Sequence, residues 1–176
     1  ADDFVIMARY QGKRLQDAVE ERLEKQMRLR INREKTRIVD LRQPGASLDF
    51  LGYTFRYVRD RYGRNRRYLE MAPSRKALAR ERAALRERTG PRYGWKPLKE
   101  LVTELNAHLR GWANYFRHGY PRAAFRAING YVRYRLSRHL RRRSQRRYRL
   151  PKGSSLYRHL VDEGLDSGPI VIQAAQ

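Results

Sequence analysis

Seven apolar side chains, Leu98, Leu101, Val102, Leu105, Leu109, Trp112 and Phe116, recur at steps of three and four along one stretch of the chain. That spacing sets them on one face of an α-helix about 28 Å long at roughly 1.5 Å per residue, and such a stripe has to be buried. Pro97 suits the first helical turn. Trp112 and Phe116 are read as core. Gly111 costs about 1 kcal/mol relative to Ala inside a helix, so it is expected to mark the close approach of another helix. After Pro121 a second stripe follows, Phe125, Ile128, Val132, Leu136 and Leu140, with Tyr131, Arg133, Tyr134, Arg135 and Arg138 left for the other faces. Ahead of both, Ser74 can cap a helix from Arg75 to about Arg88 that Gly90-Pro91 ends. Its apolar content is slight, and arginines fill its other face.

The chain before Pro73 is mixed in pattern. Phe4-Val5-Ile6-Met7 reads as a buried strand. Leu15, Val19, Leu23 and Met27 make one helical stripe, an amphipathic helix lying on a sheet. Arg37–Leu41 reads as a second strand, and Gln43-Pro44-Gly45-Ala46 as a turn. Leu48–Val58 is β-branched and aromatic around Gly52, a glycine that points to a bulge or to close approach of another backbone. Residues 61–65 then form the tip of a hairpin between 54–58 and 67–71. The fold class is therefore α+β, with a mixed region at 1–72 and a helical bundle at 73–149. A basic to neutral tail at 150–176, partly disordered, carries a short docking helix around Leu156, Leu160 and Val161, which Ser167-Gly168-Pro169 breaks.

Charge narrows the partners. Lys and Arg number 41 against 18 acids, a net charge of +23. From Leu105 to Val161 there is no acid, while fourteen Arg and one Lys fall there. A chain this basic repels itself unless a polyanion neutralises it, and nucleic acid is the commonest one. Arginine-rich, tyrosine-interleaved helices suit unpaired RNA, whose phosphates take bidentate guanidinium contacts and whose bases stack on rings. The candidate RNA contacts on the bundle are Arg75, Lys76, Arg110, Asn114 and Arg117. On the last long helix they are Arg133, Tyr134, Arg138, Arg141, Arg142 and Arg143. With no cysteine in the sequence, disulfides and thiolate zinc sites are excluded. No apolar run reaches the roughly 20 residues that span a bilayer, and no charged-then-apolar leader precedes the first strand. No membrane partner is expected.

Asp2 and Asp3 stand immediately before the first apolar run. Paired carboxylates at a rigid strand end suit divalent cations, which want hard oxygen ligands, although Asp-Asp pairs more commonly cap turns. Other segments follow in order: Ile31-Asn32-Arg33-Glu34-Lys35-Thr36, Leu48–Phe55 with Leu51-Gly52-Tyr53 at its centre, Leu105-Asn106, and Arg110-Gly111-Trp112-Ala113-Asn114-Tyr115-Phe116. Together they resemble the back half of a group II intron reverse transcriptase, or intron maturase. The opening is similar to that family's Tyr-Ala-Asp-Asp catalytic turn without its Tyr. The likeness runs from Ala1 to about Phe116 and thins after Arg149.

The resemblance implies the carboxyl half of a polymerase palm followed by an α-helical thumb and maturase bundle. It implies RNA-directed DNA synthesis coupled to binding, splicing and mobility of a group II intron RNA. Two Mg²⁺ would be held by Asp2, with Asp3 as auxiliary ligand, and completed by an aspartate outside this chain. Lys35 takes the general-acid position toward pyrophosphate, and Leu51, Gly52 and Tyr53 the primer grip. The implied partners are intron RNA, an RNA template with a DNA primer, dNTP, and a segment supplying the fingers and the first half of the palm, in a bacterial cytoplasm. The chain alone is expected to be catalytically incomplete. Two alternatives stay open: an RNA-binding splicing cofactor with idle carboxylates, and a domesticated reverse transcriptase in host defence.

Overall fold

The computed structural model describes residues 4–10, 12–60, 66–146 and 148–166. They fall into two compact units, Ala1–Ala46 and Ser47–Gln176.

In the first unit the expected helix forms as α1 (Lys13–Glu20) and runs on as a π-helical segment, Glu21–Gln26. Leu15, Val19 and Leu23 are half-buried, but Met27 is 59% exposed. The wider π-turn rotates the chain, so the stripe is out of phase by that point. Arg33 ties the helix to the following loop, donating to Glu20 at 3.1 Å and Glu24 at 3.0 Å. The two strands expected here are absent, since residues 4–7 and 37–41 are irregular or turn. Neither segment has a strand beside it among the described residues, and β-propensity without a ladder leaves backbone groups unpaired. The helix on a sheet expected in this region therefore has no sheet to lie on among the described residues. Phe4, Ile6 and Ile38 stay at least half exposed.

The second unit opens with an antiparallel meander, β1 (Leu48–Phe50), β2 (Tyr53–Arg59) and β3 (Arg67–Pro73), in that spatial order. Its register pairs Phe50 with Tyr53, Phe55 with Met71 and Arg59 with Arg67. The tip at 61–65 lies outside the described residues. Ser74 then caps α2 (Arg75–Arg88), its hydroxyl accepting from Ala77 N at 3.1 Å. A single 3₁₀ turn (Pro91–Tyr93) leads to α3 (Leu98–Tyr115), and α4 (Arg122–Arg142) and α5 (Leu156–Asp162) follow. The fold is thus α+β, with a three-stranded sheet ahead of a helical bundle. Its division into compact units comes between Ala46 and Ser47, so the strands group with the helices and the change of pattern at Pro73 lies inside the second unit.

The bundle core is what the stripes require. Leu98, Leu101, Val102, Leu105 and Leu109 of α3 meet Ile128, Val132, Leu136 and Leu140 of α4, with Leu85, Leu160 and Leu165 completing the cluster. Each such side chain taken fully out of water contributes roughly 1.5 to 3 kcal/mol. A second cluster joins Ala77, Ala113, Phe116 and Phe125, and Trp112 sits half-buried between the two, 5.0 Å from the Phe116 ring and 5.4 Å from the Phe125 ring. Gly111 differs from expectation. It is exposed, and a Cβ added there would meet nothing within 4 Å. The close approach occurs at Gly119, where φ is +77° and an added Cβ would lie 2.3 Å from Met71 O. There the α3–α4 loop lies along β3, and Tyr120 N donates to Met71 O at 2.7 Å.

The tail docks as far as it is described. Leu160 and Leu165 are in the core, and His159 Nε2 lies 2.6 Å from the Tyr148 hydroxyl. Asn106, from the Leu105-Asn106 motif, is buried and donates to Gly164 O at 2.7 Å. The Ser167-Gly168-Pro169 break expected after α5 lies outside the described residues.

Candidate nucleic-acid interface

Leu51 and Gly52 form the two-residue turn between β1 and β2, with φ values of +47° and +81°. Two positive φ values in succession define a type I′ hairpin, which matches the twist of the flanking strands but strains a Leu. Three hydrogen bonds hold the strain in place. The Tyr115 hydroxyl donates to Leu51 O at 2.8 Å, Ser74 N donates to Gly52 O at 2.7 Å, and the Tyr53 hydroxyl donates to Tyr115 O at 2.5 Å. The Tyr53 and Tyr115 rings stack with centroids 6.0 Å apart, and burial raises the Tyr53 phenol pKa. A Cβ at Gly52 would sit 3.2 Å from Phe116 Cζ. The turn is thereby fixed to the end of α3, while the Leu51 side chain is 59% exposed and free to contact a partner.

The basic residues are arrayed on the helices. Arg75 and Lys76 are exposed in the first turn of α2, where no acid accompanies them. Their charges add to the positive end of the helix dipole, a combination that only an anion relieves. Asn114 and Arg117 are exposed at the end of α3 and just beyond it. Arg110 is committed to the tail, donating to Asp166 through Nε at 3.0 Å and Nη2 at 3.2 Å. On α4, Arg133 stacks 5.6 Å over the Tyr157 ring. Arg138 donates to the Tyr134 hydroxyl at 2.9 Å and thereby lowers the pKa of that phenol. Arg141, Arg142 and Arg143 are exposed at the end of the helix.

Arg135 departs from the face expected of it. It is buried, donating through Nε to Thr89 Oγ1 at 2.9 Å and through Nη2 to Arg86 O at 3.1 Å. The last carbonyls of a helix lack partners within it, and this guanidinium supplies one for Arg86 O. The sequence carried a signal for it, because Arg135 lies three residues after Val132 and one before Leu136, on the buried arc. A second missed feature is Glu81, which is 4% exposed and faces His108 Nε2 at 3.0 Å. Burial raises the Glu81 pKa to about 7 against the pull of Arg88, and burial together with Arg88 lowers that of His108.

Asp2 and Asp3 lie outside the described residues. Lys35 is exposed in a turn, its N–H donating to Asn32 O at 3.2 Å and Asn32 Oδ1 at 3.1 Å, and the strand it was expected to lead into does not form. No group of three His, Cys, Asp or Glu that could hold a metal occurs among the described residues. No helix among them is long and apolar enough to cross a membrane.

Residues 78–155 match the family described as group II intron, maturase-specific domain. The chain carries a group II intron maturase-specific domain. The match begins in the first turn of α2, takes in all of α3 and α4, and stops at Ser155, the cap of α5. No curated protein matches the chain. Within the matched span, 21 Lys and Arg stand against four acids, a net charge of +17 out of the chain's +23. The maturase domain thus holds most of the excess charge. It also holds the buried Arg135 and Glu81–His108 pairs that fix its helices to one another.

Proposed function

We propose that the chain binds group II intron RNA through the basic faces of its maturase domain and is the carboxyl part of an intron-encoded RNA-directed DNA polymerase. The supporting observation is the coincidence of the maturase-domain match with a folded bundle of net charge +17. In this reading, Arg75, Lys76, Asn114, Arg117, Arg133 and the Arg141–Arg143 run contact phosphates, and Tyr134 stacks against a base. The sheet, with its strained Leu51-Gly52 turn, is the end of a palm, and the bundle is the thumb. The Leu51-Gly52-Tyr53 turn would position a primer terminus, and its tie to Tyr115 would make that position depend on α3.

Polymerase chemistry rests on the resemblance. Asp2 and Asp3 would hold two Mg²⁺ with an aspartate from outside this chain, and Lys35 would protonate the departing pyrophosphate. When bound, the metals would neutralise charge on the transferring phosphoryl group and its nucleophile. The template RNA, primer and dNTP would be the substrates. A second reading, a splicing cofactor without polymerase activity, is favoured by one observation: the family match covers the helices and not the segment with the carboxylates.

One paired experiment separates the two. Primer extension and intron RNA binding are measured on the same preparations, with the segment that supplies the fingers and the first aspartate present. Asp2→Asn should abolish extension and leave RNA affinity intact, and Asp3→Asn should be milder. If the parent never extends a primer yet binds the intron tightly, the cofactor reading replaces the polymerase one. If the parent does not bind the intron, the whole proposal fails.

A further inference from the structure

Trp95 is 73% exposed, more than any other large apolar side chain described in the second unit. Slack in its loop does not explain this. The α2–α3 connection is braced by Tyr93 N to Gly90 O at 3.1 Å, Gly94 N to Pro91 O at 2.9 Å and Lys96 N to Tyr93 O at 3.0 Å. The residues around it are anchored too. Lys96 is buried, paired with Glu104 and, at 3.5 Å, with Glu100, and Leu98 enters the core. Arg92 packs 4.8 Å over the Tyr93 ring and donates to Glu87 at 2.9 Å. A rigid loop holds a large flat side chain out in water, which folding alone would not favour.

The fold also determines what lies at that end of the bundle. Thr89, at the start of the loop, is gripped from α4 by Arg135, and His139 Nδ1 lies 3.4 Å from Thr89 O. Two to four residues beyond His139 come the exposed Arg141, Arg142 and Arg143. The cations nearest Trp95 in sequence, Arg92 and Lys96, are already paired with acids, so the attraction for phosphate at this end comes from the α4 terminus. A rigid indole and a guanidinium run that leave the bundle at the same end, where Arg135 and His139 of α4 meet Thr89 at the start of the loop, are a pairing that suits unpaired nucleic acid, where ring stacking holds a base and charge holds the backbone. A duplex offers no free base face, and a domain of net charge +17 disfavours a generic protein partner.

We propose that Trp95 is a stacking platform for an unpaired RNA base, with the phosphates of the same strand held by Arg141, Arg142 and Arg143. The inference rests on the RNA-binding reading above and adds the site and the strandedness of the RNA. Because the loop is braced beforehand, little ordering opposes the contact.

The test compares the parent chain with Trp95→Ala and Trp95→Phe for binding to oligouridylate and to an RNA duplex of equal length, with folding checked by circular dichroism. Loss of one stacked base should weaken oligouridylate binding by about tenfold or more in Trp95→Ala. Trp95→Phe should recover most of it, and duplex binding should change less than twofold. The chain has two Trp, and oligouridylate should quench indole emission in the parent but not in Trp95→Ala. Equal oligouridylate affinity in parent and Trp95→Ala overturns the stacking site while leaving RNA binding standing. An equal loss for both RNAs overturns it as well, since a base platform does not act on a duplex. A parent that binds neither RNA overturns the RNA-binding reading itself.

Discussion

Tyr115→Phe tests whether the β1–β2 turn is held by α3. The substitution removes one hydroxyl, which donates to Leu51 O at 2.8 Å, and leaves the ring stacked on Tyr53. A hydrogen bond at a partly exposed site is worth about 1 kcal/mol net. A non-glycine residue in the left-handed region costs about 1 to 3 kcal/mol. The two magnitudes are comparable, so the turn should loosen while the bundle, whose core is untouched, stays folded. The expected loss is about 1 kcal/mol, or a Tm lower by roughly 3 to 5 °C for a domain of this size. It should be localised, so amide exchange at Ser74, whose N–H donates to Gly52 O, should speed up while exchange at Val102 and Leu105 does not. Leu51→Asn supplies the opposite perturbation, because Asn tolerates the left-handed conformation. It should offset most of the Tyr115→Phe loss when the two are combined. Unchanged exchange at Ser74 in Tyr115→Phe would refute the lock, and so would failure of Leu51→Asn to stabilise the double variant.

Three further outcomes follow from the packing. Gly119→Ala combines a positive φ with a Cβ 2.3 Å from Met71 O, so urea titration should show a loss of at least about 2 kcal/mol. Gly111→Ala, exposed and unobstructed, should gain up to about 1 kcal/mol. Trp112→Ala should cost about 3 kcal/mol of stability, the lower end for a large aromatic because Trp112 is only half-buried, and the melting curve should shift before any change in RNA affinity at low temperature. The Glu81 carboxyl titrates at about 7 in the folded chain and near 4.5 unfolded, so the native state binds the extra proton between those values. Stability should therefore fall as pH rises from about 5 to 8. The depressed His108 works against this only below its ordinary value of 6.5, where a neutral buried imidazole is lost as pH falls. Glu81→Gln should flatten the decline between pH 6.5 and 8 in urea titrations.

What could be read from the sequence was whatever local spacing dictates. The α3 and α4 stripes, the Ser74 cap and the β2–β3 hairpin depend on neighbours a few residues away, and all formed where spacing put them. The segments at 4–7 and 37–41 had the composition of strands but depended on distant partners, and composition carries no information about those. Gly111 and Gly119 make the same point. Each is a glycine near the end of α3, yet only the tertiary path over β3 shows which one a side chain would obstruct. Asn106 stood in a family-like motif, and its contact with Gly164, fifty-eight residues later, could not have been found by spacing. Arg135 and Arg141 are alike in sequence. Only their phase on α4 separates a cap for another helix from a candidate phosphate contact.

The central claim, that the maturase domain binds RNA by its charge, is tested most directly by the affinity of the chain for a group II intron RNA measured across salt. If six to ten phosphates are neutralised, affinity should drop by about 10³ to 10⁵ between 50 and 200 mM salt, and the slope should become shallower by about 3 when Arg141, Arg142 and Arg143 are all replaced by Ala. An affinity that does not change over that range, or a slope the triple replacement leaves untouched, would contradict the account.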